Sequence, residues 1–290
     1  MSSKIERTLV FCACILSCPP IPFMHKKGAR PVKILACVKQ VHDSSDTLEI
    51  NEQTGWFSPK PLTVFRMNRF DEFALEEALL IRERMPESVV HALSIGPERA
   101  STTVRRALEM GADHGVHILV KGEGYMSPFT AASAIASYAR TGSYDLILTG
   151  VMSEDSMAGV TGQLTAAILD LPCVTSVIRT ELHGETAEIV ADSEIENGYR
   201  ASYRLSLPAV LTIQSGINSP RYPSLSNVMR ARSQQPKTIM PEDLGLPAPR
   251  DSCSGIRMPD TSSQGLFLEG TAREKAQMLV GILHERSLLS

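Results

Sequence analysis

An α/β fold is predicted, with three layers and a mostly parallel sheet between helices, and three observations predict it. Short apolar runs at 32–41, 88–96, 116–120 and 144–150 recur between helical patterns, as buried parallel strands do. Each is followed by a helix-like segment, and strand–helix–strand repeats build right-handed crossovers over a sheet covered on both faces. The run at 144–150 leads into a polar, acidic loop (151–158) and then a small-residue helix start at Gly159, Thr161 and Gly162. In an open sheet that loop lies in the crevice at a strand's carboxyl end, where ligands bind, and its free N–H groups suit a phosphate.

The bulk numbers agree. The chain has 290 residues, is 43% hydrophobic and 21% charged, and carries a formal net charge of −3. That balance gives no electrostatic case for nucleic acid as a partner. Six cysteines are present, with Cys12, Cys14 and Cys18 crowded at one end and Cys37, Cys173 and Cys253 scattered. No spacing suits a zinc site or a disulfide framework, so no metal and a reducing compartment, the cytoplasm, are expected. Residues 1–30 combine basic, apolar and double-proline features like a weak export signal, too short to span a bilayer. With nothing exported downstream, they are read as an extension outside the fold, with Met24 as the natural start.

In chain order, 32–41 reads as one continuous, central strand. Thr47–Ile50 and the Gln53–Gly55 turn suggest a small hairpin. Asn68 is placed as the N-cap of a helix with Asp71 and Glu72 in its first turn. A strand ending at Gly96, a helix stopped by Gly111, a third strand at 116–120 and a helix opened by Ser127 and Pro128 follow. Lys121–Gly124 is a turn, because its two glycines lack a third at the dinucleotide spacing. After Pro172, alternation with turn chemistry at His183–Gly184 and Asn197–Gly198 predicts antiparallel edge strands, with 207–215 returning to the core. From Ile217 a proline-rich, irregular arm is expected. Thr271 and Glu274 then form a capping box for a helix with Ala276, Leu279, Val280 and Leu283 on its apolar stripe.

Catalytic machinery is not found. There is no Walker-type phosphate loop, and no Ser-His-Asp or Cys-His arrangement can be assembled. His42 follows the first strand and is read as a solvated loop residue. Ser153, Asp155, Ser156 and Thr161 are the candidates for holding ribose and phosphate oxygens, against the plainer alternative of a helix-capping loop without ligand.

Three stretches together resemble the beta subunit of electron transfer flavoproteins, the FixA family: the strand at 32–41, the helix start Met67–Glu72 with Ala74–Ala78, and the loop Gly150–Gln163. The most specific match is Asn218–Met229, whose pattern NxPRYPxLxNxM resembles that family's partner-recognition loop; Glu242–Gly245 also matches. Two differences stand out. Gly150-Val151-Met152-Ser153 replaces the usual Gly-Lys/Arg-Gln-Ala, and Arg69 replaces the proline of Asn-Pro-Phe.

The resemblance implies an electron carrier, not an enzyme, in a Rossmann-like fold of the adenine-nucleotide alpha-hydrolase type. It implies a heterodimer with an alpha subunit, one FAD shared with that subunit, and a structural AMP in this chain. Cys37 and Ile95 would meet the adenine; Asn68, Arg69, Phe70 and Asp71 would line the site; Gly150, Ser153, Asp155, Ser156, Ala158, Gly159, Val160 and Thr161 would wrap the phosphate. Arg69 would supply the cation lost from the loop. Leu225 would anchor a flavin dehydrogenase, on a loop with Pro220, Arg221 and Tyr222, and Glu194 would pair with an alpha-subunit arginine. Electrons would pass on to a quinone reductase or similar acceptor. By this reading 31–216 is the nucleotide-binding domain, 217–246 the recognition loop and arm, and 247–290 an arm whose helix docks on the partner subunit. Two alternatives stay open: an electron-bifurcating form with a second FAD in place of AMP, and a non-redox nucleotide-binding regulatory module.

Overall fold

The computed structural model describes residues 30–43, 49–52, 55–122, 124–258 and 265–289. Residues 1–29 of the N-terminal extension, Thr47–Leu48, the Gln53–Thr54 part of the hairpin turn and Glu123 lie outside them; Arg30, the last residue of that extension, pairs with Asp145. The described residues up to Gly255 form one compact unit and those from Ile256 a second.

In the first unit β1 (Lys33–Cys37), β6 (Val89–Gly96), β7 (His114–Leu119), β8 (Leu146–Gly150) and β12 (Ala209–Ile213) are parallel neighbours in a nine-stranded sheet. With β9 (Cys173–His183), β10 (Glu188–Glu194), β11 (Arg200–Ser206) and β13 (Lys237–Ile239), its order is β11-β10-β9-β12-β8-β1-β6-β7-β13. Only β10 runs against its neighbours, pairing antiparallel with both β9 and β11. Helices α1 (Arg69–Arg84), α2 (Ser101–Met110) and α5 (Leu225–Ser233) cover one face; α3 (Pro128–Gly142) and α4 (Thr161–Leu169) cover the other. The central strands show why their sequences are apolar throughout. Ile34 and Ala36 of β1 pack with α1, while Leu35 and Cys37 pack with α3, so neither face meets water.

The expected strand at 32–41 is two elements. β1 stops at Cys37, and β2 (Gln40–His42) pairs instead with β5 (Phe65–Met67) in a separate two-stranded sheet. The break is satisfied locally: Val38 N–H donates to Leu93 O at 2.8 Å, and Lys39 N–H donates to Asp71 Oδ2 at 2.8 Å. The small hairpin is present as β3 (Glu49–Asn51) and β4 (Trp56–Ser58). His42 packs edge-on against Phe57, its ring centroid 5.0 Å away, rather than facing solvent alone.

The segment after Ile217 is less irregular than its prolines suggest. It contains α5, with Ala231 fully buried, and β13, which pairs parallel with β7 and closes that edge of the sheet. A short strand of three residues has too little pattern to announce itself; its place comes from β7. In the second unit α6 (Ala272–Glu285) opens with the capping box: Thr271 Oγ1 accepts from Glu274 N–H, and Glu274 Oε2 accepts from Thr271 N–H at 2.7 Å. None of its residues is buried. Among the described residues no helix is long and apolar enough to cross a membrane, and no cluster could hold a metal ion.

Candidate functional site

β1 and β8 are adjacent, and the chain leaves them in opposite directions, to β6 and β7 on one side and to β12 on the other. That reversal opens a crevice at the strands' carboxyl ends. A cleft of about 770 Å³, its mouth included, lies there. Its inner wall is apolar, made by Leu93, Ile95, Met126, Pro128, Ala131 and Ile135; its outer wall is the 150–161 loop with Lys39.

The wall toward α4 offers the chemistry an anion needs. Val160 occupies the N-cap of α4 and no side chain caps the helix, so the first N–H groups keep their donor capacity at the positive end of the helix dipole. Gly162 lets that end approach the sheet: a Cβ there would sit 2.4 Å from Thr212 Cγ2 and 2.8 Å from Thr149 Oγ1. Gly159, at φ +62°, makes the turn into the helix with no steric penalty.

Lys39 supplies the cation. Its Nζ donates to Asp155 Oδ1 at 2.7 Å and to Ser153 Oγ at 3.3 Å. Burial pushes the Asp155 carboxyl upward, but the Lys39 charge and the hydrogen bonds from Lys39, Ser153 and the Ser156 amide outweigh it, holding Asp155 below its ordinary value. Asp71 lies beneath, its Oδ1 accepting from Gly150 N–H at 2.9 Å and its Oδ2 from Lys39 N–H, so one carboxylate ties the ends of β8 and β1 together. Burial raises Asp71 from 3.8 to about 7, against the lowering effect of those amides and of Asn68.

The structure brings most of the expected residues to the cleft: Cys37, Asp71, Ile95, Gly150, Ser153, Ser156, Ala158, Gly159, Val160 and Thr161 line it. Four do not. Asn68 stands at the N-cap of α1 but its side chain does not cap the helix; its Nδ2 donates to Met152 O at 2.9 Å and its Oδ1 accepts from Glu154 N–H at 3.1 Å, bracing the loop from behind. Arg69 is exposed on the far side of that brace, its amide donating to Glu154 Oε2. The cation at the cleft is Lys39, because β1 breaks just before it. Phe70 backs Gly150, where an added Cβ would come within 2.7 Å of the Phe70 Cβ. Asp155 does not line the cleft itself but accepts from Lys39 Nζ, which does. Sequence reasoning missed Lys39, Val38 and Leu93, together with the α3 wall. Only the polar break after an otherwise apolar run pointed to Lys39.

On another face, the segment after β12 forms a second feature. Leu225 is 79% exposed and Tyr222 91%, both beyond a base held against α1. Arg221, expected at a partner's surface, is turned inward: its Nε and Nη2 donate to Glu76 at 2.9 and 2.8 Å. Its place between two glutamates on α1 decides this. The hydrogen bonds that Arg221 donates to Glu76 outweigh the opposing effect of burial and raise the Arg221 pKa further. Pro220 is half-buried beside it, and Glu194 lies exposed at the end of β10.

A family model, the electron transfer flavoprotein domain, matches residues 63–244. The chain is 33% identical over 244 residues to the electron transfer flavoprotein subunit beta of Homo sapiens, covering 83% of this chain and 94% of that protein. It is 36% identical to the mitochondrial subunit beta of Arabidopsis thaliana, over 73% of this chain and 83% of that one. The Bacillus subtilis subunit beta is 30% identical over 76% of this chain and 86% of its own length.

Proposed function

The chain belongs to the electron transfer flavoprotein beta-subunit family, and on that premise we propose that it works as the beta half of a heterodimer with an alpha subunit, carrying electrons from flavin dehydrogenases to a quinone reductase or similar acceptor. FAD, shared with the alpha subunit, supplies the redox chemistry when bound. The residues of this chain do the rest: they bind, orient and dock.

The cleft holds a structural AMP in this reading. Leu93, Ile95 and Ile135 offer an apolar slot for the adenine, and the uncapped start of α4 with Lys39 faces the phosphate. Among the described residues Cys37, Cys173 and Cys253 are free thiols, and the proposed compartment is a reducing one, the cytoplasm. The observation that carries the proposal is the Leu225 loop: a large apolar side chain held out in water on a base pinned by Arg221 suits an anchor for a partner's pocket. Purifying the chain with its alpha subunit and extracting the bound nucleotides tests both halves. One FAD and one AMP per heterodimer are expected; two FAD would replace the AMP assignment, and a stable nucleotide-free monomer would overturn the carrier reading.

A further inference from the structure

Glu76 and Glu77 are adjacent on α1, both buried, and neither lines the cleft. Both reach the base of the Leu225 loop. Glu76, whose side chain is 4% exposed, receives the fork of Arg221 and also the Arg221 backbone N–H at 3.1 Å. Glu77 accepts from Asn218 Nδ2 at 3.1 Å and from Thr180 Oγ1 at 2.6 Å. Asn218 Nδ2 donates in addition to Phe73 O at 3.0 Å, and Glu83 adds a second carboxylate to Arg221.

We propose that Glu76 and Glu77 are positioning residues for partner docking, a carboxylate clamp that acts through Arg221 and Asn218 to hold Leu225 out in one presentation. This rests on the reading of the Leu225 loop as the docking surface. Three things argue for it. The bonds the two glutamates make to this segment fall at Asn218 and Arg221, and the large exposed side chains, Tyr222 and Leu225 at the start of α5, lie just beyond. Pro220 and Pro223 restrict the backbone on either side of Arg221, so fixing the base limits where the tip can go. Buried ion pairs also add little stability compared with apolar residues of similar volume, so what this one contributes is a single geometry. The same helix and its N-cap brace the cleft loop with Asp71 and Asn68, and Leu225 opens α5, so the clamp fixes the segment's entry while α5 fixes its exit.

The test uses the assembled heterodimer and a purified flavin dehydrogenase that reduces it, with Leu225→Ala as the reference. In the double variant Glu76→Met/Arg221→Met the apolar pair keeps the fold, and the clamp is gone. Expected are a KM for the flavoprotein at least tenfold higher, an unchanged kcat at saturation, unchanged FAD content, a urea midpoint no lower than wild type, and faster amide exchange confined to 219–227. Arg221→Lys keeps the charge but loses the fork; it should raise KM about threefold, and it carries the test if the double variant does not fold. A wild-type KM in these variants while Leu225→Ala raises it would overturn the clamp and leave the docking surface standing. A wild-type KM in Leu225→Ala as well would remove the docking surface and the clamp with it.

Discussion

Lys39 Nζ lies 2.7 Å from Asp155 Oδ1, so the cation facing the cleft and the carboxylate of the loop that closes it are already paired. A bound phosphate would share that cation with Asp155 rather than meet an isolated charge. A charge-assisted hydrogen bond of this kind is worth about 1.5–3 kcal/mol. Lys39→Met should therefore weaken adenine-nucleotide binding by roughly ten- to a hundredfold, while Arg69→Ala, on the exposed side of the loop's brace, should leave bound nucleotide unchanged. Acid extraction and chromatography of the purified heterodimers measures both.

Asp71 gives the protein a pH dependence. Its folded value, about 7, is raised by burial above its unfolded value of 3.8. A carboxyl shifted this way contributes stability fully at pH below 3.8 and loses it as the pH rises through 7. Asp71→Asn removes the titration, although its amide can accept from only one of the two N–H groups that Asp71 now holds. The stability of the wild type relative to Asp71→Asn should therefore fall as the pH rises from 3.8 to about 7 and level off above that, read as the difference in urea midpoints. A constant difference would mean that Asp71 does not titrate in that range.

Gly162→Ala should be costly for a helical position. The new methyl would meet Thr212 Cγ2 at 2.4 Å, and α4 would have to lift from the sheet. Overpacking of this kind costs about 1–3 kcal/mol. Because the same helix start faces the cleft, nucleotide content should fall along with the thermal midpoint. Gly281, in α6 with nothing within 4 Å, is the control: Gly281→Ala should be neutral or stabilising.

Leu225→Ala removes the exposed side chain proposed as the docking anchor without touching the cleft. An interface hot spot is worth at least about 2 kcal/mol, so dehydrogenase-coupled turnover should drop about thirtyfold at subsaturating flavoprotein. FAD content and urea midpoint should match the wild type. Tyr222→Ala, at the neighbouring exposed position, should have a smaller effect in the same assay.

The amino-acid sequence by itself determined the alternation of strands and helices, the antiparallel edge strands after Pro172 and the place of the cleft loop after β8. Those properties are local: apolar period reports which faces are buried, and glycine, proline and cap residues mark where elements end. The tertiary structure alone decided who touches whom. It broke the apolar run at Val38 and turned Lys39 into the cleft, because the Asp71 carboxylate 32 residues away takes the amide that a longer strand would have paired. It made β13 a strand by offering it the edge of β7. It turned Arg221 from a surface residue into the mate of Glu76, 145 positions earlier. A buried charge needs a partner, and periodicity shows the burial without naming that partner.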